Sequence, residues 1–220
     1  WALFYSTRGY KALIRVSING FEKVSEEIQC LEDNRREIKN ILNQAAKKAQ
    51  QRLADDIRGR FLITKKEVNA ATSKKNATLS NLTAELCVKG NARELGDYKV
   101  SPFWAYSAGS EKKRPSVVKA KVYRTGDLKG LEKDGLKAFV TEFKSGHKAV
   151  VQRVPGEIYS NPKKRAERES KGWDLTKIRS LYSVSIPQLA TQKDVKNEVD
   201  TAIWKIIREN ATQMLFGKLR

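Results

Sequence analysis

The chain has 220 residues, of which 40% are hydrophobic, so it can bury a core and a disordered polypeptide is excluded. Its 44 lysine and arginine residues exceed its 25 aspartate and glutamate residues, which gives a formal net charge of +19. This excess indicates an acidic partner, and composition leaves open whether it is nucleic acid, an anionic surface or an acidic protein. No apolar run reaches the length of a membrane span and no segment resembles a signal peptide, so we expect no membrane partner.

The first predicted element is a strand over 11–19, where apolar and polar residues alternate. The aromatic segment 1–10 before it is expected to be a peripheral extension. A short amphipathic helix is predicted to follow from Phe21 to Leu31. Cys30 in this helix and Cys87 in a later strand lack metal-ligand spacing, and we expect both to be reduced core residues of a protein made in the cytoplasm.

The longest predicted element is an amphipathic helix from Asn34 to Phe61. Asn34 and Glu37 resemble a capping box at its start. Apolar residues recur every three or four positions along one face of this helix, namely Ile38, Ile41, Leu42, Ala45, Ala49, Leu53, Ile57 and Phe61. Because the alanines in the middle are small, a sheet or a second helix can approach closely. This helix is therefore predicted to be the central element of the core.

Shorter elements are predicted in the next part of the chain. A helix is expected from Thr64 to Ala71, with Thr64 and Glu67 as its capping box. Lys74 and Lys75 begin a polar loop, and alternating apolar residues then predict a strand from Asn81 to Lys89. The turn-forming residues that follow favour no continuous element before the next alternating pattern.

A β-hairpin is the best-defined pattern in the second half of the chain. After a predicted strand over 117–124, strands over 138–144 and 148–154 are joined by a short turn. Gly146 supplies the positive φ that a tight turn needs, and His147 next to it is expected to be a solvated turn residue.

The last part of the sequence combines a basic loop with a final helix. The segment 155–179 has little periodicity and is predicted to be a long basic loop, which in a compact domain is usually functional or disordered. A strand over 181–186 is expected to end at Pro187. Thr191 is expected to cap a C-terminal amphipathic helix that continues to Leu215.

This order of elements predicts the α+β class. We expect an antiparallel sheet of about five strands, with the long amphipathic helix packed on one face and the C-terminal helix beside it. Residues 11–216 are expected to form a single domain that carries the basic loop.

The sequence contains no recognisable catalytic motif. GxSxG, Walker, GxGxxG and HExxH patterns are absent, and His147 is the only histidine. Two isolated cysteines and one distant histidine make neither a zinc site nor a thiol dyad. We therefore expect no enzyme activity, no metal and no cofactor, and an enzyme of unknown type would require a polar pocket that the sequence does not indicate.

Two basic clusters are the candidate contact sites. They consist of Lys112, Lys113 and Arg114, and of Lys163, Lys164, Arg165, Arg168 and Lys171. These side chains could neutralise phosphate, dock into acidic grooves of protein neighbours, or simply be solvated. The nearby aromatic residues are either interface anchors or a small core of their own loops, and they are Phe103, Trp104, Tyr106 and Trp173.

The order of segments resembles the minor tail protein Z family of tailed phages and prophages. The similarity lies in INGFEKV after the first strand, the Ala-rich helix, ITKKEV, the hairpin AFVTEFKSGHKAVVQRV, and a strand that ends in SIP before the last helix. It extends from about Val16 to Leu215. The hairpin is its most specific part, and all of the motifs are packing and turn patterns rather than chemistry.

The resemblance implies a tail completion protein, a structural virion component of the phage neck that is assembled in the host cytoplasm. Such a protein is expected to form a homo-oligomeric ring at the head-proximal end of the tail and to be needed for head–tail joining. Its implied partners are the tail terminator, the tail tube, head-completion proteins and, without sequence specificity, genomic DNA. From the residues alone, the alternative is a sequence-nonspecific nucleic-acid-binding protein.

Overall fold

The computed structural model describes residues 10–16, 31–105, 117–133 and 135–216. The described helices are α1 (Leu31–Arg60), α2 (Lys65–Ala71), α3 (Pro162–Ser170), α4 (Ile186–Ala190) and α5 (Lys193–Phe216), with a 3-10 helix at Leu95–Asp97. The described strands are β1 (Tyr10–Val16), β2 (Thr72–Lys75), β3 (Ala84–Gly90), β4 (Arg93–Glu94), β5 (Lys99–Ser101), β6 (Lys119–Lys121), β7 (Lys129–Gly130), β8 (Glu132–Lys133), β9 (Leu136–Lys137), β10 (Phe139–Glu142), β11 (Lys148–Ile158), β12 (Thr176–Ser180) and β13 (Tyr182–Ser183). All pairs of these strands are antiparallel, so the predicted α+β class is confirmed.

The chain divides into two compact units. The helical unit contains the described residues up to Ala92 and those from Val184 onward, whereas the strand-rich unit contains the described residues from Arg93 to Ser183. The sequence of the strand-rich unit is thus inserted into that of the helical unit. The expected single domain over 11–216 stays a prediction.

The sheet of the helical unit has three strands in the order β1-β3-β2. Its central strand β3 buries Ala84, Leu86 and Val88 at alternate positions, as the sequence pattern predicts. Lys74 and Lys75 belong to β2, where they lie opposite Leu86 and Glu85 in the ladder. The prediction that they begin a polar loop is therefore wrong, because pairing with β3 provides hydrogen bonds that the local sequence does not reveal.

Helix α1 forms the core of the helical unit with α5 and the sheet. It contacts both β3 and α5, as predicted for a long helix on one face of a sheet with the C-terminal helix beside it. The side chains on its apolar face are almost completely buried, namely Ile38, Leu42, Ala45, Ala46, Ala49, Leu53, Ile57 and Phe61. On the outside, Arg52 pairs with Glu198 at 2.6 Å and Arg60 with Asp194 at 3.5 Å, which joins α1 to α5.

The helix starts test two capping predictions. Helix α1 begins at Leu31, so Asn34 is a buried residue inside the first turn and its predicted role as the cap is wrong. In α2 the predicted capping box is confirmed: Thr64 N donates to Glu67 Oε2 at 2.7 Å, and Glu67 N donates to Thr64 Oγ1 at 3.3 Å.

Side chains of α1 hold the loop between β2 and β3. Asn43 Nδ2 donates to the Ala77 carbonyl at 3.2 Å, while the Ala77 N–H donates to Asn43 Oδ1 at 2.8 Å. Arg35 Nη1 donates to the carbonyl of Leu79 at 3.1 Å. The loop is therefore fixed by polar contacts at its backbone, in addition to the burial of the Ala77 side chain.

Helix α4 replaces the end of a predicted strand. Ser185 caps it by accepting from Gln188 N at 3.3 Å, and Gln188 Oε1 accepts from Ser185 N at 2.9 Å. Pro187 lies in the first turn, where its missing N–H leaves no helix bond unmade. Thr191 is the C-cap of α4 and α5 begins at Lys193, so the predicted cap of the last helix is also wrong.

The strand-rich unit contains several small sheets. Its described strands form the orders β10-β11-β12, β5-β6-β7, β4-β13 and β8-β9. Together with the sheet of the helical unit, this differs from the one sheet of about five strands that the sequence predicts. The reason lies in strand length, because a strand of two residues, such as β7 or β8, is too short to extend a ladder across a wide sheet.

The predicted hairpin is confirmed as β10 and β11. Phe139 lies opposite Val151 and Glu142 opposite Lys148. Gly146 has a φ of 78°, which a residue with a side chain would adopt only with strain. Leu31, the last residue of the predicted helix over 21–31, is the first residue of α1. Residues 21–30 of that helix, residues 17–19 of the first strand and the extension up to residue 9 lie outside the described residues.

Candidate basic interface

The segment 155–179 contains a helix between two paired strands. Strand β11 continues to Ile158 and pairs with β12, with a shift in register between Arg153 and Ile158. Helix α3 connects these two strands. The prediction of a long loop is therefore wrong, because the polar residues between the strands form a helix without an apolar stripe.

Local backbone chemistry explains where α3 begins and ends. Asn161 Oδ1 accepts from Lys163 N at 3.0 Å and from Lys164 N at 3.3 Å, and Pro162 occupies the first turn. At the other end Gly172 has a φ of 61°, and Trp173 N donates to the Arg168 carbonyl at 2.8 Å. These caps fix a helix of only nine residues that buries none of its side chains.

Helix α3 presents several cations that lack a described carboxylate partner. Lys163 and Lys164 are exposed and Arg165 is half-buried. Of the described residues, no carboxylate forms an ion pair with any of these three. We call Lys163, Lys164, Arg165 and Arg168 the α3 cations. Lys164 and Arg168 are four residues apart and so share one helix face, which Lys171 continues just beyond the helix end.

Arg168 lies between two aromatic rings. Its guanidinium carbon is 5.0 Å from the ring centroid of Tyr159 and 5.5 Å from that of Trp173. Its Nε donates to the carbonyl of Asp174 at 2.9 Å. We call Tyr159 and Trp173 the aromatic clamp, because their rings and the Nε bond fix the direction of the guanidinium while its two Nη groups have no hydrogen-bond partner among the described residues.

Lys171 extends the same cluster. Its Nζ lies 4.7 Å from the ring centroid of Trp173 and 3.0 Å from Glu167 Oε1. Trp173 remains 46% exposed. The structure thus brings together three of the predicted site residues, Arg168, Lys171 and Trp173, on one surface.

Carboxylates near α3 are neutralised by cations or hydrogen bonds of their own. The hydrogen bond from Lys177 is the main cause of the lowered pKa of Glu157, with Arg179 as a second partner. Lys171 and Lys144 similarly lower the pKa of Glu167. These carboxylates are therefore charged at neutral pH.

Asp174 completes this group of carboxylates. Hydrogen bonds from Thr176 are the main cause of its lowered pKa, and the nearby charges of Arg153 and Arg168 act in the same direction. Arg153 Nε lies 2.9 Å from Asp174 Oδ2. Since Asp174 and the other two carboxylates have these partners, they do not cancel the charge of Lys163, Lys164 and Arg165 on α3.

The structure describes only two of the other predicted contact residues, Phe103 and Trp104. Phe103 is 40% exposed and a Cβ on Gly96 would lie 3.3 Å from its ring, so it packs against the backbone of its own region. Trp104 beside it is half-buried. The remaining predicted contacts, Tyr106, Lys112, Lys113 and Arg114, lie outside the described residues.

His147 has a partner that the sequence does not indicate. Its Nε2 lies 2.8 Å from Glu94 Oε2, and its ring stacks with Phe143 at a centroid distance of 6.1 Å. The imidazole is about half exposed, and Glu94 reaches it from a strand 53 positions away in sequence. The described residues show no group of three or more His, Cys, Asp and Glu suited to a metal ion. None of the described helices is both long and apolar enough to cross a membrane.

Comparisons of the chain with protein-family models, curated proteins and solved structures find no match. The site is therefore interpreted from its own residues. Sequence reasoning missed Tyr159 and the cap Asn161, although the Asn-Pro pair at 161–162 and Gly172 eleven residues beyond the cap are the signals of a helix start and stop.

Proposed function

We propose that this protein is a non-enzymatic structural component of a phage or prophage tail, a tail completion protein of the neck. The observation that carries this proposal is α3, a capped helix that buries none of its side chains and presents cations without described carboxylate partners. A helix of this kind contributes little to a core, so its role is contact with another molecule. The assignment to a phage neck is supported by the resemblance over about Val16 to Leu215.

The proposed subunit works through shape and charge. The helical unit is its rigid body, because α1 buries a continuous apolar face. The α3 cations provide a contact surface with the positive charge that interfaces with nucleic acid and with acidic proteins favour. We propose a homo-oligomeric ring whose neighbours are the tail terminator, the tail tube and head-completion proteins.

Removal of the gene from the phage or prophage that encodes it tests this function. We expect separate heads and tails in electron micrographs, and rescue when the wild-type chain is supplied from a plasmid. Reconstruction of the wild-type neck should show several copies around the axis. Normal, infectious particles without the protein would overturn the proposal.

A second candidate function is sequence-nonspecific binding of nucleic acid by a protein that works outside a virion. The net charge of +19 favours it, as do Lys163, Lys164 and Arg165, which form no ion pair with a described carboxylate. Mass measurement in solution and particle composition distinguish the two candidates. A protein absent from purified particles that binds duplex DNA as a free monomer supports the second function and contradicts the first.

A further inference from the structure

We infer that the α3 cations bind the phosphate backbone of duplex nucleic acid, with Arg168 as the pre-positioned guanidinium of the site. This inference deepens the proposed function by assigning a partner to its contact surface. It rests on that function for its biological setting, whereas its geometry comes from Tyr159, Asn161, Arg168 and Trp173.

The first argument concerns the donors that Arg168 has available. Tyr159 and Trp173 contact the guanidinium with their rings, and the Asp174 carbonyl accepts the Nε hydrogen bond. The two Nη groups are left to donate side by side, which matches two oxygens of a phosphate. A surface arginine normally loses side-chain freedom when it binds, and the aromatic clamp has already removed part of that freedom.

The second argument concerns the spacing of charge. Lys164 and Arg168 lie one turn apart on α3, and Lys171 lies seven positions after Lys164. At about 1.5 Å per residue, these seven positions correspond to a rise on the order of 10 Å. That rise spans about three base pairs of a duplex, so the row can reach more than one phosphate of a strand. Glu167 lies beside this row and pairs with Lys171 at 3.0 Å, so the phosphate contacts are assigned chiefly to Lys164 and Arg168. Glu169 lies about 100° around the helix from Arg168, away from this face.

The third argument separates a duplex from single strands and from acidic proteins. Proteins that bind single strands stack bases on open aromatic faces, and apolar protein partners use an exposed tryptophan as an anchor. Here the ring of Trp173 is engaged by Arg168 and by Lys171. The groups that remain available on this surface are charged N–H donors. A row of closely spaced phosphates accepts hydrogen bonds from such donors best.

Binding of a duplex DNA oligonucleotide of random sequence to the full chain tests the inference. The variant combines Lys163→Gln, Lys164→Gln, Arg165→Gln and Arg168→Gln. Each phosphate contact contributes about 0.9 to the slope of log affinity against log salt; Lys164 and Arg168 share the binding face and Lys163 and Arg165 flank it, so loss of two to four contacts should reduce that slope by about 2 to 4. At about 0.1 M salt we expect a loss of affinity on the order of 100-fold or more.

A matched control removes the same charge from another surface. It combines Lys47→Gln, Lys48→Gln, Lys74→Gln and Lys75→Gln, all exposed residues of the helical unit. We expect it to change affinity less than about threefold and to leave the slope near that of the wild type. Equal losses in the two variants, or wild-type affinity in the first, would overturn the inference. Circular dichroism spectra that match the wild type establish that both variants fold.

Two further arms test the geometry and the partner. Arg168→Lys keeps the charge but not the paired donors, so we expect an unchanged salt slope with affinity lower by about fivefold.

Polyglutamate and single-stranded DNA at equal charge should compete weakly with the duplex. If polyglutamate displaces the duplex equally well, the surface is one for acidic proteins; if single strands bind more tightly, it reads bases. Either result overturns the duplex assignment, and neither affects the location of the protein in a particle.

Discussion

Helix α1 of the helical unit and helix α3 of the strand-rich unit owe their structure to different interactions. Helix α1 buries one whole face, including Leu53 and Ile57, and almost no solvent reaches it. Helix α3 buries nothing and is fixed by Asn161 at its start and by Gly172 at its end. The comparison teaches that apolar burial makes the framework, whereas backbone caps and ion pairs shape the surface that is free to contact a partner.

The largest expected effect is a core substitution in the helical unit. Leu53→Ala removes a fully buried side chain from α1 and leaves a cavity, so the free energy of unfolding should fall by about 2 to 5 kcal/mol. Urea denaturation measures the change. The control Arg165→Ala in α3 should change it by less than about 0.5 kcal/mol. Similar decreases in the free energy of unfolding from both substitutions would show that α1 and α3 contribute equally to stability, which contradicts this comparison.

Two glycine substitutions should have opposite signs. Gly172 has a φ of 61°, so Gly172→Ala strains the end of α3 and should lower the free energy of unfolding, though by less than about 0.5 kcal/mol because α3 has no buried side chain to couple the strain to global unfolding. Gly59 lies within α1 with nothing within 4 Å of an added Cβ, so Gly59→Ala should stabilise by about 0.5 to 1 kcal/mol. Thermal denaturation of both variants checks the signs. A stabilising Gly172→Ala would contradict the described end of α3.

The caps of α2 and α3 allow a finer comparison. Thr64→Ala removes the capping box of α2 and should lower the free energy of unfolding by about 1 kcal/mol, because Val68 of that helix belongs to the core. Asn161→Ala removes an equivalent bond, but α3 has no buried side chain to couple it to global unfolding. We expect faster amide exchange within α3 and a change of less than about 0.5 kcal/mol in the global value. Equal global losses would show that α3 is part of a cooperative core.

The smallest expected effect is a dependence on pH in the strand-rich unit. The pKa of Glu157 is lowered from 4.5 by Lys177, and that of Glu167 is lowered from 4.5 by Lys171. The pKa of Asp174 is lowered from 3.8 by hydrogen bonds from Thr176. Groups with a depressed folded-state pKa stabilise the fold above their ordinary values and lose this contribution as the pH falls through the folded-state value.

Amide exchange on acidification measures this effect. Corrected for the intrinsic pH dependence of exchange, protection in β12 should fall as the pH is lowered below 4.5, the ordinary pKa of Glu157. Strand β3, which depends on buried apolar residues, should change less. In the Glu157→Gln variant, the loss of protection in β12 on acidification should be smaller than in the wild type. Protection in β12 that is independent of pH would show that these ion pairs do not hold the strand.

Hydrophobic periodicity predicted the elements that bury a face. The stripe of α1, the alternation of β3 and the hairpin of β10 and β11 are all patterns in which burial repeats with the period of the element. Helix α3 has no such repeat, since its residues are polar all round. The sequence signals of this helix are the Asn161–Pro162 pair at its start and Gly172 after its end. Each involves only one or two residues, whereas the polar composition of the whole segment favours a loop.

The candidate site was predicted in composition but not in geometry. Arg168, Lys171 and Trp173 are close in sequence, so their contact could be anticipated. Tyr159 completes the aromatic clamp from the end of β11, and only the pairing of β11 with β12 brings it there. The proline in SIP was interpreted as the end of a strand, although Ser185 and Gln188 have the spacing of a capping box.

The paired hydrogen bonds between Asn43 and Ala77 tie the backbone of the neighbouring loop to α1 and so restrict the number of residues that this loop can contain. The amide of Asn43 imitates the edge of a β-strand, so residues from Lys75 to Leu79 keep a set distance from the helix. Beyond Leu79 the loop is closed by a turn, in which Thr78 N donates to the Asn81 carbonyl at 2.8 Å and Asn81 N donates to Thr78 Oγ1 at 3.0 Å, and Leu82 then packs against the core. A peptide tag intended to leave the fold intact therefore belongs outside residues 75–82.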